Sequence, residues 1–467
     1  MTALRTLAGS SVVALLAGCA SLSPDAGLAE LQTALAPHLK QELALAHDEA
    51  ALQRQQARVE QLLNSEMDAD AAVQVALLNN RMLQAQLSEL GITEADIAQA
   101  ATWPNPGLTL ARTRRGDEVE IERGLHINLA RLLLRPWTQE LDTRRRQQVQ
   151  GLAAQRVLSL AGDTRKAWVM AVAADESLRY ALQVMQAAQA GAELARRMAT
   201  AGNFNALQAA REQSFAADAV LQLARAQQQR TSARERLTRL LGLWGEQINF
   251  RLPTRLPGLP TAPREQPDIE RLAMAQRLDV QAARQAAADT ARSLGLSRGL
   301  GFINVLELGA LRHSSNQAPT LRGWELTLEL PIFDWGQARV ARAQAVYMQS
   351  LHQAAAIAID ARSEVREAYG QYRTAWDIAQ HQFNEVVPLR QRISQENLLR
   401  YNGMLIGVFE LLADTRMQIA SVNGAIEALR DFWLAQADLD AALLGKPGLM
   451  AMASASPSAP AAESAGH

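Results

Sequence analysis

Cysteine is almost missing from this chain: its 467 residues include one, Cys19. A lone thiol excludes an intrachain disulfide framework, so stability has to come from packing. Charge of one sign is missing too, with 47 basic against 48 acidic side chains and a formal net charge of -1. No overall field would draw nucleic acid or an anionic surface. Nor does any segment after the N-terminus reach the run of about 18 apolar residues that a membrane-spanning helix requires, so a membrane crossing would have to be made by strands. Catalytic constellations are equally scarce. The seven histidines, at 38, 47, 126, 313, 352, 381 and 467, form no helical metal motif, and no nucleophile, base and orienting group stand at a recognisable spacing. The expectation is a non-enzyme with no cofactor and no metal.

What is present in quantity is helix former. Aromatics make up 4% and charged residues 20%, while Ala, Leu, Gln and Arg fill long stretches with few prolines. Gln139 to Met198 runs 60 residues without proline and Gln337 to Arg400 runs 64 with only Pro388. At 1.5 Å per residue each could extend about 90 Å, longer than a compact globule needs. Pro388 removes one hydrogen bond and predicts a bend.

The N-terminus reads as an export signal, with Arg5 in the positive region, an apolar run over Leu7 to Leu16, and the small residues Ala17 and Gly18. Leu16-Ala17-Gly18-Cys19 resembles the bacterial lipobox, in which the cysteine is acylated and becomes the mature N-terminus. Ala20, in place of an aspartate, points to the outer membrane. At the other end, residues 446–467 are rich in Ala, Ser and Pro and predict disorder.

Between these ends the chain is duplicated. Asn80-Arg81-Met82-Leu83-Gln84-Ala85 returns as Arg277-Leu278-Asp279-Val280-Gln281-Ala282, Pro136 as Pro331, Gly202 as Gly403, and Leu240-Leu241-Gly242 as Leu443-Leu444-Gly445. The offsets are 197, 195, 201 and 203 residues. Pro253, Pro257, Pro260, Pro263 and Pro267 mark an extended connector that serves as the hinge between halves. The expected organisation is a signal peptide at 1–18, a lipidated linker and helical segment at 19–65, a first repeat at 66–245, a connector at 246–267, a second repeat at 268–445 and the tail at 446–467.

Each repeat also carries a stretch of period two, which cannot be one face of a helix. Trp324, Leu326, Leu328 and Leu330 alternate with Glu325, Thr327 and Glu329. Val119, Ile121, Leu125, Ile127 and Leu129 alternate with Glu120, Glu122, Gly124, His126 and Asn128, interrupted on the apolar side by Arg123. Weaker strands are expected at Leu108 to Arg112 and Phe302 to Leu311, with polar loops at Thr113 to Glu118 and Arg312 to Arg322. Four strands cannot close a barrel, since about eight merely hold side chains inside, so such a sheet needs further copies of the chain.

Two stretches carry a family resemblance. Leu330-Pro331-Ile332-Phe333-Asp334-Trp335-Gly336-Gln337-Ala338-Arg339 resembles the strand-to-helix signature of the TolC-like outer-membrane efflux factors. Arg400-Tyr401-Asn402-Gly403 running into Phe409-Glu410-Leu411-Leu412-Ala413-Asp414-Thr415-Arg416 is similar to that family's helix tip, with a weaker counterpart at Ala201 to Leu207. The resemblance implies a mainly α fold with a small membrane β part: two tandem repeats of long coiled-coil helices plus two strands each, forming a homotrimeric α-barrel continuous with a 12-stranded β-barrel. It implies an outer-membrane channel of a tripartite efflux or secretion system, lipid-anchored at Cys19, with Trp324, Leu326, Leu328 and Leu330 facing outer-membrane lipid. Gly202, Asn203, Phe204, Gly403, Met404, Leu405, Ile406 and Gly407 would contact a periplasmic adaptor protein that binds an inner-membrane pump. Gly202 and Gly403 are expected to take the positive φ of the tip turns. The alternative is a pore-less periplasmic coiled-coil scaffold lipoprotein, which would not need the strands.

Overall fold

The computed structural model describes residues 25–102, 105–129, 135–300, 306–328 and 336–445; the side chains of 135–141, 296–300, 306 and 328 fall outside the description. The signal segment, Cys19, the tail at 446–467, Leu330, the stretch Pro331 to Trp335 and the Leu328 side chain therefore lie outside the described residues.

The elements follow one another as α1 (Leu28–Leu35), α2 (Glu49–Leu63), α3 (Ala69–Asn79), α4 (Arg81–Ala101), β1 (Gly107–Arg115), β2 (Glu118–Asn128), α5 (Arg135–Thr200), α6 (Ala206–Leu241), α7 (Ile269–Gln276), α8 (Leu278–Leu300), β3 (Leu306–Ser315), β4 (Leu321–Leu328), α9 (Gln337–His381), α10 (Val387–Asn402) and α11 (Val408–Leu444). Helix, two strands, long helix and returning helix thus occur twice. A π-helical turn, Gln382–Val386, joins α9 to α10, and Pro388 sits in the first turn of α10. A widened turn placed just ahead of the proline accommodates its missing N–H and its ring without ending the helical run. Both outer strands begin or end beyond their expected limits. The loop expected over Thr113 to Glu118 shrinks to Gly116 and Asp117, with Gly116 at φ 61. The loop expected over Arg312 to Arg322 shrinks to Asn316–Thr320. Arginines are poor strand signals, but backbone pairing extends through Arg112, Arg114, Arg115 and Arg312.

The chain forms two compact units that do not follow the repeat boundary. Of the described residues, one comprises those within 25–31, 87–153 and 280–358, the other those within 32–86, 154–279 and 359–445. In the first, β1 to β4 form a single antiparallel sheet in that order, and ion pairs link the helical segments: Arg146 to Glu94 at 2.7 Å, Arg145 to Asp96 at 3.0 Å, and Arg144 to Asp289 at 3.2 Å.

The second unit holds most of the aromatic side chains that the composition makes scarce. Trp168 packs with Val59, Val172, Leu237 and Leu241 and donates its indole N–H to the Met67 carbonyl at 2.8 Å. A second cluster centres on Tyr372, Trp376 and Phe432, with Tyr372 and Phe432 centroids 5.6 Å apart. These rings also hold the proline-rich connector. Trp376 donates to the Pro260 carbonyl at 3.1 Å, Trp433 to the Pro257 carbonyl at 2.9 Å, and the Tyr372 hydroxyl accepts from the Arg264 N–H at 3.0 Å. The connector is a fastened strap, because a chain of prolines leaves carbonyls without helical donors and the indoles supply them.

The repeat is most visible where α6 and α11 end. Gly242 takes φ 67, and a Cβ there would stand 2.6 Å from the Asn79 carbonyl oxygen. Asn79 donates to the Leu241 and Gly242 carbonyls and Asn80 to the Leu240 carbonyl, satisfying acceptors that every helix leaves open at its C-terminus. In the second repeat Arg277 stands in the place of Asn80. Its guanidinium donates to the Ala442 carbonyl at 3.0 Å, to both Asp279 oxygens at 3.0 and 2.6 Å, and to Glu364 at 2.9 Å. The side chain is 2% exposed. Burial works against its charge, but the bonds and charges of Asp279 and Glu364 outweigh this and hold its pKa above the ordinary arginine value.

Candidate functional site

Side chains alternate across a strand, so the register determines which residues share a face. Leu108 stands opposite Leu125, Leu125 opposite Ala310, and Ala310 opposite Trp324. The next row on the same face is Ile127, Leu308 and Leu326. These rows are open: Leu108, Leu125 and Leu326 are more than half exposed and Trp324 is 75% exposed. The other face carries Glu118, Glu120, Glu122, His126, Asn128, Glu307, His313, Glu325 and Thr327, with Gly107, Gly124, Gly309 and Gly323 among them. His313 lies 3.6 Å from Glu120 and 3.7 Å from Glu122. A Cβ on Gly107 would stand 2.1 Å from the His126 ring, so a larger residue there would require that ring to move. One face is apolar towards the strand ends that lead to the helices and carries arginines towards the hairpins, the other is polar and glycine-bearing, and β1 and β4 leave both sheet edges open.

In the second unit two helix tips meet. Met198, Ala199, Phe409 and Leu412 pack around Ala195, Phe204 and Val408. Beside them Arg416 pairs with buried Glu212 at 2.5 Å and lies over the Phe215 ring at 4.6 Å. At the first tip Gly202 has φ 78, its N–H donates to the Ala199 carbonyl, and the Asn203 N–H donates to that of Met198. This paired bonding is a Schellman C-cap. Asn205 then starts α6 with a reciprocal capping box to Gln208.

No family model matches the chain, and no curated protein matches it in sequence. Solved structures do match. CusC, solved in a study of folding and transmembrane channel formation, superposes with a TM-score of 0.65 at 17% identity, over 83% of this chain and 92% of CusC. The outer membrane protein VceC of Vibrio cholerae gives 0.64 at 14% identity, over 86% and 100% of the two chains. The open state of the MtrE outer membrane channel of Neisseria gonorrhoeae gives 0.64 at 18%, over 83% and 88%. The chain has the TolC-like fold.

Two expectations drawn from the TolC-like tips need correction. Gly403 is not the left-handed residue: its φ is -79, and Met404 takes φ 58 instead. The Met404 N–H donates to the Tyr401 carbonyl and the Leu405 N–H to that of Arg400, the same Schellman pair as in the first repeat. Gly202 therefore corresponds to Met404, not to Gly403, and Asn205 to Gly407, which starts α11. Had the helix ended one residue earlier, everything after it would have turned by about 100°, carrying Val408 out of its contact with Phe204. Packing overrode the local preference for glycine. Phe204, expected as a contact residue, is 9% exposed and turned into the cluster. Ile406, its counterpart, is half-buried, while Met404 and Leu405 are 93% and 73% exposed. Gly202, Asn203, Gly403 and Gly407 are also exposed.

A side chain in the left-handed region costs roughly 1–2 kcal/mol, and glycine recovers part of this against its greater unfolded-state freedom. Met404→Gly is therefore expected to raise stability by up to about 1 kcal/mol, read as a later thermal unfolding midpoint by circular dichroism. A lower midpoint would show that the methionine makes contacts the turn depends on.

Proposed function

We propose that the chain is the outer-membrane channel of a tripartite efflux or secretion system and gives exported compounds a passive route across the periplasm and outer membrane. The observation that carries this reading is the sheet: four strands with two open edges, an exposed apolar face and a polar, glycine-bearing face. In a closed barrel the inner face is the crowded and wet one, and the outer face meets lipid. Because the strands alternate in direction, β4 of one copy can pair antiparallel with β1 of the next. Two copies would make about eight strands, whose interior side chains fill. A water-filled duct therefore needs at least three copies, and three agree with the homotrimer of the TolC-like family. The exposed Leu182, Leu194, Val220, Leu221, Leu398 and Leu399 on the long helices suit packing between copies. Lipid on Cys19 would anchor the assembly to the outer membrane. No helix among the described residues is long and apolar enough to cross a membrane.

The test is direct. Full-length protein extracted in detergent should run as a heat-resistant trimer and form conducting pores in planar bilayers; a monomer without conductance would end this reading. The tips add a separate expectation. Met404 and Leu405 form an exposed apolar pair in a turn, where a protein with no partner would carry polar groups. They would dock on the periplasmic adaptor that links the channel to its inner-membrane pump. Leu405→Asp should leave trimer and conductance intact while lowering adaptor crosslinking and export resistance at least about tenfold, the cost of desolvating a charge in an apolar contact. Normal crosslinking and normal resistance would mean that these turns only cap helices.

A further inference from the structure

The apolar face of the sheet carries a second feature, and the register exposes it. Arg123 stands opposite Arg312, and Arg312 opposite Arg322, with Leu110 completing the row. Arg112 and Arg114 occupy the next two rows of that face towards the hairpin ends. All five arginines are exposed, and no ion pair among the described residues engages any of them; Arg114 donates to the Gly116 carbonyl. Carboxylates are segregated to the other face, where Glu118, Glu120, Glu122, Glu307 and Glu325 all lie. Neighbouring strands are about 4.8 Å apart, so three guanidinium-bearing residues stand abreast with no carboxylate among the described residues on their side of the sheet. Like charges directly opposite one another destabilise a sheet, and the arrangement asks for an external anion.

Position identifies which anion. The row lies immediately beyond Trp324 and Leu125, on the side nearer the hairpin turns, and the strand ends leading to the helices lie on the opposite side. A face that is apolar, then aromatic, then basic is the profile of a surface leaving hydrocarbon through the interface. We propose that Arg123, Arg312 and Arg322, flanked by Arg112 and Arg114, bind the phosphate groups of outer-leaflet glycolipid at the rim of the barrel. Guanidinium forks bond phosphate oxygens in pairs, and acyl chains of the same lipid would cover Leu108, Leu125 and Trp324 below. The inference rests on the reading that this face meets lipid and adds the headgroup chemistry it recognises.

Trimers of the full chain, loaded with bisphosphorylated lipid A and washed in detergent, should retain that lipid as measured by mass spectrometry. The combined variant Arg123→Gln, Arg312→Gln, Arg322→Gln should retain roughly 100-fold less, about fivefold per arginine. The corresponding triple lysine variant should stay within about tenfold of the parent, since charge survives and only the paired geometry is lost. Unaltered protein should lose lipid A that has been stripped of its phosphates to a similar degree, which needs no variant to fold. Equal retention by the triple glutamine variant, or of the phosphate-free lipid, would overturn the proposal. So would displacement of bound lipid A by inorganic phosphate at equal phosphate concentration, which would mark a free-anion site. Comparing Leu326→Arg with Thr327→Arg separates the two levels. If arginine is tolerated equally at both, the lipid-facing reading itself fails; if only Leu326→Arg blocks assembly while the glutamine variant keeps its lipid, the phosphate assignment alone falls.

Discussion

Arg277→Leu is expected to destabilise the helical unit by about 3–5 kcal/mol, the loss typical when one partner of a buried ion pair is removed. Asp279 is 8% exposed and takes two of its hydrogen bonds from this guanidinium, so the variant removes the cation that balances a buried carboxylate. The Ala442 carbonyl near the end of α11 loses its donor as well. Leucine cannot offset either loss, because the surroundings are a carboxylate pair and a helix end. Thermal unfolding followed by circular dichroism would read the change. The double variant Arg277→Leu, Asp279→Asn should recover part of it, since the carboxylate charge is then removed together with the cation that balanced it. A midpoint for Arg277→Leu equal to that of the parent chain would show that the three-way bond contributes nothing net. The matching site in the first repeat, where Asn79 and Asn80 close α6 with neutral amides, should be less sensitive, because truncating a neutral amide forfeits bonds worth about 1 kcal/mol each.

Leu326→Arg should impair membrane assembly by about 2–4 kcal/mol per copy, whereas Thr327→Arg should be tolerated. The two positions are adjacent, yet Leu326 shares a face with Leu308 and Ile127, and Thr327 lies opposite Glu307 on the polar face. In the proposed barrel an arginine at 326 would have to be buried in hydrocarbon on every copy of the chain; at 327 it would meet water and a carboxylate. Yield of heat-resistant trimer in outer-membrane fractions measures the difference. Equal yields would place this face away from lipid, and the reverse order would mean a barrel closed with the opposite face outward.

The largest elements were readable from the chain alone because their causes are local. Helix propensity over long proline-poor stretches requires α5 and α9 wherever they pack, and period-two alternation assigns Glu325 and Leu326 to opposite faces without reference to any neighbour. Lengths were less legible. Arginine-rich strand ends carry little β signal, so β1 and β3 run further toward their hairpins than their apolar residues suggest, drawn on by pairing with β2 and β4. At the tips glycine preference pointed to Gly403, and the need to seat Val408 against Phe204 moved the left-handed residue to Met404. In the sequence Arg123 is one interruption of an apolar series, and Arg312 and Arg322 are loop residues some 190 to 200 positions away. Only strand pairing across the two repeats sets the three in one row. Local alternation determined what each strand has on its two sides; the tertiary register decided which charges stand together, because pairing between distant segments follows from the whole sheet's packing and not from any stretch of sequence taken by itself.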